Sequence, residues 1–349
     1  MERVAGYVVV SDDTYQYTTG YFTARKWTKN GDIILARFID EEQFENDLSE
    51  LVYYSVDKKC VTRVLCDDVN NLNYVVYNDM VYYCTKKELK SINLETREIK
   101  TIYEFGDETY ILPHITNDGN YINFINDDEN RNGEVGKFLM VNVETNEPKL
   151  VFTKDFPNPF YIANHGMVCP TNPDLTFFAH EGTTQYVTNR LWIHDSKTGK
   201  MRNIVKQEMT EDGDLGEYFG HEMWAPDGKG LYFVKYPQSP IKPTGLCYVD
   251  LESGKKEVLF SKYAYWHVST SEDGKYLMGD TMRGVYDGTD LSEVVLADLE
   301  KNTEEVIDVV HSTGRHPCHP HPSISSDSKV VAYNAFEDGK IVVKLALLK

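Results

Sequence analysis

The stretch Ala225-Pro226-Asp227-Gly228-Lys229-Gly230-Leu231-Tyr232-Phe233-Val234 reads as a tight turn that runs into a short strand. The Asp-Gly pair supplies the left-handed backbone of a hairpin turn, and the apolar residues after it suit a pleated, buried surface. The same pattern recurs as TKNGDIILARF at 28–38, YNDMVYYC at 77–84, TNDGNYINFI at 116–125, TNPDLTFFAH at 171–180, SEDGKYLMGD at 271–280 and SSDSKVVAYN at 325–334, which makes seven copies. A second element separates them: SINLETREIK at 91–100, VNVETNEPKLVF at 141–152, IHDSKTGKMRNIV at 193–205, VDLESGKKEVLF at 249–260 and ADLEKNTEEVID at 297–308. Each reads as strand, polar turn, strand. The repeating unit is therefore four short strands in about 40–55 residues, the size of a propeller blade. No window sustains a helical period. The expectation is an all-β, seven-bladed β-propeller of four-stranded antiparallel blades, with residues 1–349 forming a single domain. The last strand, Lys340 to Leu348, is expected to join a blade partly built from the N-terminus. Six blades plus an N-terminal extension is the alternative count, because residues 1–27 and the copy at 77–84 are weak.

Charge narrows the function. The chain carries 36 Lys and Arg against 55 Asp and Glu, a formal charge of -19 and a pI near 4.9. That excludes the clustered basic surface that nucleic acid requires and argues against an anionic membrane. An acidic small substrate needs a local cationic pocket against this field. No apolar run approaches a membrane span. The six cysteines form no CxxC, and with no export signal they read as reduced thiols in a cytoplasmic protein.

The histidines carry the chemistry. His316-Pro317-Cys318-His319-Pro320-His321-Pro322 holds three of the ten in the chain. An extended backbone puts His319 and His321 on one face and Cys318 on the other, with His316 curling in from the preceding turn. The prolines stiffen the segment and keep it from pairing as a central strand. Imidazoles held this close point to a shared divalent cation. His114, His165, His221 and His267 each precede a strand-connecting turn, so they are expected at one entrance of the propeller. The competing reading has them filling a narrow channel as core. His194 and His311 are expected on outer turns at the surface.

PTNPDLTFFAHEG at 170–182, Asn189-Arg190-Leu191-Trp192, GHEMWAPDGKGLYF at 220–233, HVSTSEDGKYLMGD at 267–280 and HPHPSISSDSK at 319–329 together resemble the oligogalacturonate lyase family, over roughly residues 110–335. The resemblance implies a cytoplasmic propeller enzyme that cleaves short 1,4-linked uronides by β-elimination. It implies a divalent metal, Mn, on His267, His319 and His321. His316 falls where the family has a glutamine, and a fourth imidazole would also suit Zn, Ni or Fe. The resemblance further implies His221 as the base that takes the C5 proton and Arg190 as the contact to the substrate carboxylate. His114, His165, His180 and Tyr186 are candidates for touching the acidic oligosaccharide. After His180-Glu181-Gly182 the chain departs from the family, with Thr183-Thr184-Gln185 in place of a Pro-Trp-His run, so the sugar could be a different uronide. Glu181 and Glu222, each following a histidine, are expected either to orient an imidazole or to be solvated. The alternative from another class is a non-catalytic propeller that binds partners on its face.

Overall fold

The computed structural model describes residues 3–45, 48–70, 72–126, 136–282, 288–313 and 316–349. Seven four-stranded antiparallel sheets account for the strands among them. Sheet I contains Gln16–Thr18, Ile33–Phe38, Ser49–Ser55 and Cys60–Val69. Sheet II contains Tyr74–Tyr77, Met80–Cys84, Glu88–Asn93 and Ile99–Glu104. Sheet III contains Tyr110–Ile115, Tyr121–Asn126, Gly136–Asn142 and Pro148–Lys154. Sheet IV contains Ala163–Cys169, Asn172–His180, Leu191–Asp195 and Lys200–Asn203. Sheet V contains Phe219–Trp224, Gly230–Lys235, Gly245–Asp250 and Lys256–Phe260. Sheet VI contains Tyr265–Thr270, Tyr276–Thr281, Leu291–Asp298 and Thr303–His311. Sheet VII contains Ser323–Ile324, Val330–Glu337 and Lys340–Leu348, and its outer strand is Val4–Val10 from the other end of the sequence.

Each of the seven turn-plus-strand copies supplies the second strand of a sheet, and each intervening segment supplies the third and fourth. The outer turns close through side-chain caps. Asn93, Asn142 and Asp195 each accept two backbone N–H groups just downstream, which is why these positions are Asn or Asp. Among the described residues one short helix, Glu41–Glu45, interrupts the strands. Among the described residues no helix is long and apolar enough to cross a membrane.

The chain divides into two compact units. The first comprises residues 1–86, 90–100 and 266–349. Its cores form where facing sheets bury alternate residues: Ile33, Leu35, Val52, Ala332 and Val343 in one cluster, and Met278, Leu296, Val331 and Tyr333 in another. The expected junction of the two ends of the sequence is present, with Val10 opposite Val343 and Arg3 bonded to Asp298 at 2.7 Å. The second unit comprises residues 87–89 and 101–265. Its core is more aromatic, with Phe138 stacked on Phe152 at 4.1 Å and Phe177, Phe219 and Phe233 packed between sheets IV and V.

In sheets III, IV and V the first strand breaks register against the second. The breaks fall between Ile111 and His114, Asn164 and Met167, and Gly220 and Met223. Within each break one residue takes a left-handed backbone: Leu112 (φ 56°), His165 (φ 54°) and His221 (φ 52°). Such a bulge re-aims a side chain out of the strand's alternation, and non-glycine residues hold this conformation at a cost that concentrates at working sites. His114 is not the equivalent of His165 and His221. Leu112 is, and His114 instead sets its ring Nδ1 2.9 Å from the Leu112 carbonyl oxygen.

Candidate active-site groups

In the first unit, His267 stands on Tyr265–Thr270 of sheet VI and Asp280 on the neighbouring strand, both buried. The His267 ring Nδ1 lies 2.8 and 2.9 Å from the two Asp280 oxygens. Asp280 also accepts the backbone N–H of His267 at 2.9 Å and of His321 at 3.1 Å. A carboxylate acceptor fixes the hydrogen on Nδ1 and makes Nε2 the ring nitrogen suited to a metal. Burial pushes the Asp280 carboxyl up to about 6.

His319 and His321 sit on the proline-rich loop ahead of Ser323–Ile324. That loop is not extended, because His321 has φ 44°, so the two imidazoles meet through a left-handed bend rather than through strand alternation. Asn334, fully buried, holds the loop. Its Nδ2 donates to the Pro317 and His319 carbonyls at 3.0 and 2.9 Å, and its backbone N–H donates to Pro320 at 2.8 Å. Its Oδ1 accepts the Thr19 N–H at 2.8 Å. Ser269 donates its hydroxyl to the Pro322 carbonyl.

The ligand atoms of His267, His319 and His321 all lie within 4.8 Å of one another. Both ring nitrogens of His321 are buried without a hydrogen-bond partner, an arrangement that costs energy unless its one lone pair and its one N–H find partners. Burial holds the His321 imidazole well below its ordinary pKa, so it is a neutral donor. Three buried imidazoles, one oriented by a carboxylate and one, His321, held neutral by burial, fit a borderline divalent cation. Phe22 packs against His267 and His321 with centroids at 5.2 and 5.6 Å, and Trp266 lies 4.3 Å from His319. The His316 ring is exposed, 4.4 Å from the His319 ring, and stands outside the three that gather. Cys318 turns the other way, buried against Phe38 and Ile341.

The second unit holds a different cluster. Arg190 is 3% exposed. Its Nε donates to Glu222 at 2.7 Å, and its two terminal nitrogens donate to the two oxygens of Glu181 at 3.1 and 2.9 Å. His165 lies between these carboxylates, Nδ1 3.5 Å from Glu222 and Nε2 3.6 Å from Glu181. Burial opposes its charge, but the two glutamates outweigh that and raise its pKa. Glu222, likewise buried, is held far below the usual carboxylate range by the Arg190 charge. Both glutamates face the His165 imidazole; Glu222 is fully buried, whereas the Glu181 side chain is partly exposed. His221 rests its Nδ1 2.8 Å from the Tyr236 hydroxyl. Gly220 makes that contact possible, since a Cβ there would stand 2.1 Å from the same hydroxyl.

Two other candidates have local roles. The His180 Nε2 donates to the Phe160 carbonyl at 2.6 Å and its ring stacks on Phe156 at 3.8 Å. Tyr186 is 66% exposed, its ring parallel to Phe160 at 6.2 Å. His311 is exposed and paired with Asp290, as expected. His194 is not on the surface; it is buried on Leu191–Asp195 with its ring 4.4 Å from Phe152. Sequence reasoning missed Asp280, Asn334 and Tyr236. One signal was present: His221, His267 and His321 each stand six residues ahead of the turn aspartates Asp227, Asp273 and Asp327, whereas His114 stands four ahead of Asp118.

The profile of the family described as oligogalacturonate lyase matches residues 133–349. An oligogalacturonate lyase of Dickeya dadantii (strain 3937) is 26% identical over 196 residues, and an oligogalacturonide lyase of Pectobacterium atrosepticum is 27% identical over 199. Each match covers 52% of this chain and 49% of the relative, so the chain spans about half the length of the curated relatives it matches. Among solved structures, an oligogalacturonate lyase in complex with manganese superposes with TM-score 0.79 at 18% identity, over 99% of this chain and 96% of that one. An oligogalacturonate lyase from Vibrio parahaemolyticus gives TM-score 0.77 at 17% identity, over 98% and 96%. TolB from Acinetobacter baumannii gives 0.51 at 15%, over 86% and 76%. These likenesses show the fold, a seven-bladed β-propeller, as the repeats had led us to expect.

Proposed function

This chain belongs to the oligogalacturonate lyase family, and from that premise we propose that it cleaves short 1,4-linked uronides, oligogalacturonides first, by metal-dependent β-elimination. The observation that carries the reading is the gathering of His267, His319 and His321 around one point, with a hydrogen-bond-deficient imidazole among them. Manganese is the ion named with the solved relative. A divalent ion held by these three residues would neutralise the uronate carboxylate and so make the neighbouring C5 proton easier to remove.

The chain's own residues supply the remaining roles. His221 is the base. With its Nδ1–H donated to the Tyr236 oxygen, Nε2 is the ring nitrogen that would take the C5 proton. The electron pair left on C5 forms the C4–C5 double bond as the C4–oxygen bond breaks, and the departing oxygen takes a proton. Arg190 is the contact to a carboxylate, suited by its planar fork. His165 and Tyr186 are substrate contacts, as is His114. The local hydrogen bond and stacking of His180 favour a supporting role for that residue.

The test is the ultraviolet absorbance of the 4,5-unsaturated product when the protein meets oligogalacturonides. The expected result is a rise that EDTA abolishes and manganese restores. No rise with any divalent metal would overturn the proposal.

A further inference from the structure

We infer that Glu181 is a built-in occupant of the carboxylate-binding fork of Arg190, and that a hexuronate carboxylate binds there by displacing it. The inference rests on the uronide reading above and adds to it the residue that sets affinity.

The two glutamates on Arg190 are not equivalent. The Glu222 side chain is 0% exposed and takes the single Nε donor, so one buried carboxylate already neutralises the guanidinium. The Glu181 side chain is 29% exposed and takes the paired terminal donors, each oxygen facing one nitrogen. That two-on-two geometry is the one a planar carboxylate ligand adopts on arginine. Neutral hydroxyls of a sugar cannot reproduce it. Arg190 and the His165 imidazole between the glutamates carry at most two positive charges against two negative ones, so a third carboxylate entering beside both glutamates would be repelled. Exchange with the more exposed one keeps the balance. The exchange needs no backbone movement, because the Glu181 N–H is fixed to the Ile162 carbonyl at 2.9 Å and only the side chain must rotate.

The experiment is calorimetric titration of galacturonate and of galactose into the full chain with manganese, comparing wild type, Glu181→Gln, and Glu181→Gln combined with Arg190→Lys. Glu181→Gln is expected to bind galacturonate about tenfold more tightly, with galactose unchanged. The double variant has the same charge as Glu181→Gln but no fork, so its gain should disappear. Unchanged or weaker galacturonate binding by Glu181→Gln would overturn the inference. So would a gain that survives in the double variant, which would mark simple charge removal. Binding is read without turnover, so the two proposals fail separately. A wild type that binds but forms no unsaturated product counts against the lyase reading alone. A wild type that forms product while Glu181→Gln gains no affinity counts against the displacement alone.

Discussion

The ring of His267 and the carboxylate of Asp280 are joined at 2.8 and 2.9 Å, and the same carboxylate takes the backbone N–H of both His267 and His321. One buried acid thus sets the tautomer of one candidate ligand and the main-chain position of another. Asp280→Asn keeps the shape but puts an amide where an acceptor is required. Manganese affinity should fall by about 10- to 100-fold. Calorimetric titration checks this, and an unchanged affinity in a folded variant would remove Asp280 from the site.

The metal ligands and the base should separate cleanly. His321→Ala is expected to lose bound manganese, measured by elemental analysis, together with turnover. His221→Gln should retain the metal and lose turnover. Near-wild-type product formation by His221→Gln would overturn its assignment as the base.

Tyr236 acts through His221. Tyr236→Phe removes the partner of Nδ1 while leaving the ring in place beside Gly220. We expect kcat to fall about tenfold with KM little changed. The limb of the pH–rate profile that reports the base should shift as well. A profile identical to wild type would show that the contact is only packing.

Asn334 is a structural clasp for the histidine loop, making three hydrogen bonds to it and one to Thr19. Asn334→Ala removes the donor to the Pro317 and His319 carbonyls and the acceptor of the Thr19 N–H, which should cost about 2–3 kcal/mol of stability and weaken metal binding as well. Denaturant unfolding with and without manganese reads both effects. A loss of stability with unchanged metal affinity would confine Asn334 to the fold.

The bond between Arg3 and Asp298 makes a prediction about acid. The Asp298 carboxyl is buried, which opposes its charge, but its hydrogen bonds to Arg3 and Lys301 win and hold it down to about 2, from an ordinary value of 3.8. A group whose folded pKa is depressed stabilises above its unfolded pKa and loses that contribution as pH falls through the folded one. Stability on the order of 2 kcal/mol should therefore be fully present above about pH 4 and fade toward pH 2. Tm measured against pH should fall less steeply over that window in Asp298→Asn than in wild type. Parallel curves would sink the assignment.

The blades were legible because a propeller repeats its turn chemistry. Asp-Gly and Asn-Gly pairs stand before alternating apolar runs at a spacing that only a four-stranded unit explains. The strand at 340–348 pairs with its sequence neighbour Val330–Glu337 on one side and with Val4–Val10 on the other, and the second pairing was legible as the way to complete a four-stranded sheet. His319 and His321 stood out by their clustering with His316, and His267 by its place ahead of a turn, while the ligand set itself came from the family resemblance. Asp280, Asn334 and Tyr236 did not stand out, since the first two lie within a second strand of ordinary pattern and the third directly follows one. Their function comes from what register sets opposite them, across distances that no local window contains. The bulges at Leu112, His165 and His221 were hidden for a related reason. A one-residue slip in pairing leaves the composition untouched, so His114 seemed equivalent to His165 and His221 when Leu112 held that place. His194 was misread because its strand edge looked like a polar turn, while aromatic packing against Phe152 drew it inward.

The joining of Val4–Val10 to Lys340–Leu348 has a consequence for timing. Sheet VII supplies Asn334 and follows directly on the loop of His319 and His321, yet it is completed only when Val4–Val10, from the far end of the sequence, pairs with Lys340–Leu348. Every other sheet among the described residues is built from consecutive strands, so this pairing closes the longest loop in the fold and should be the slowest to form. Until it forms, the edge of Lys340–Leu348 lies uncovered in the sheet that clasps the histidine loop, open to pairing with a neighbouring chain.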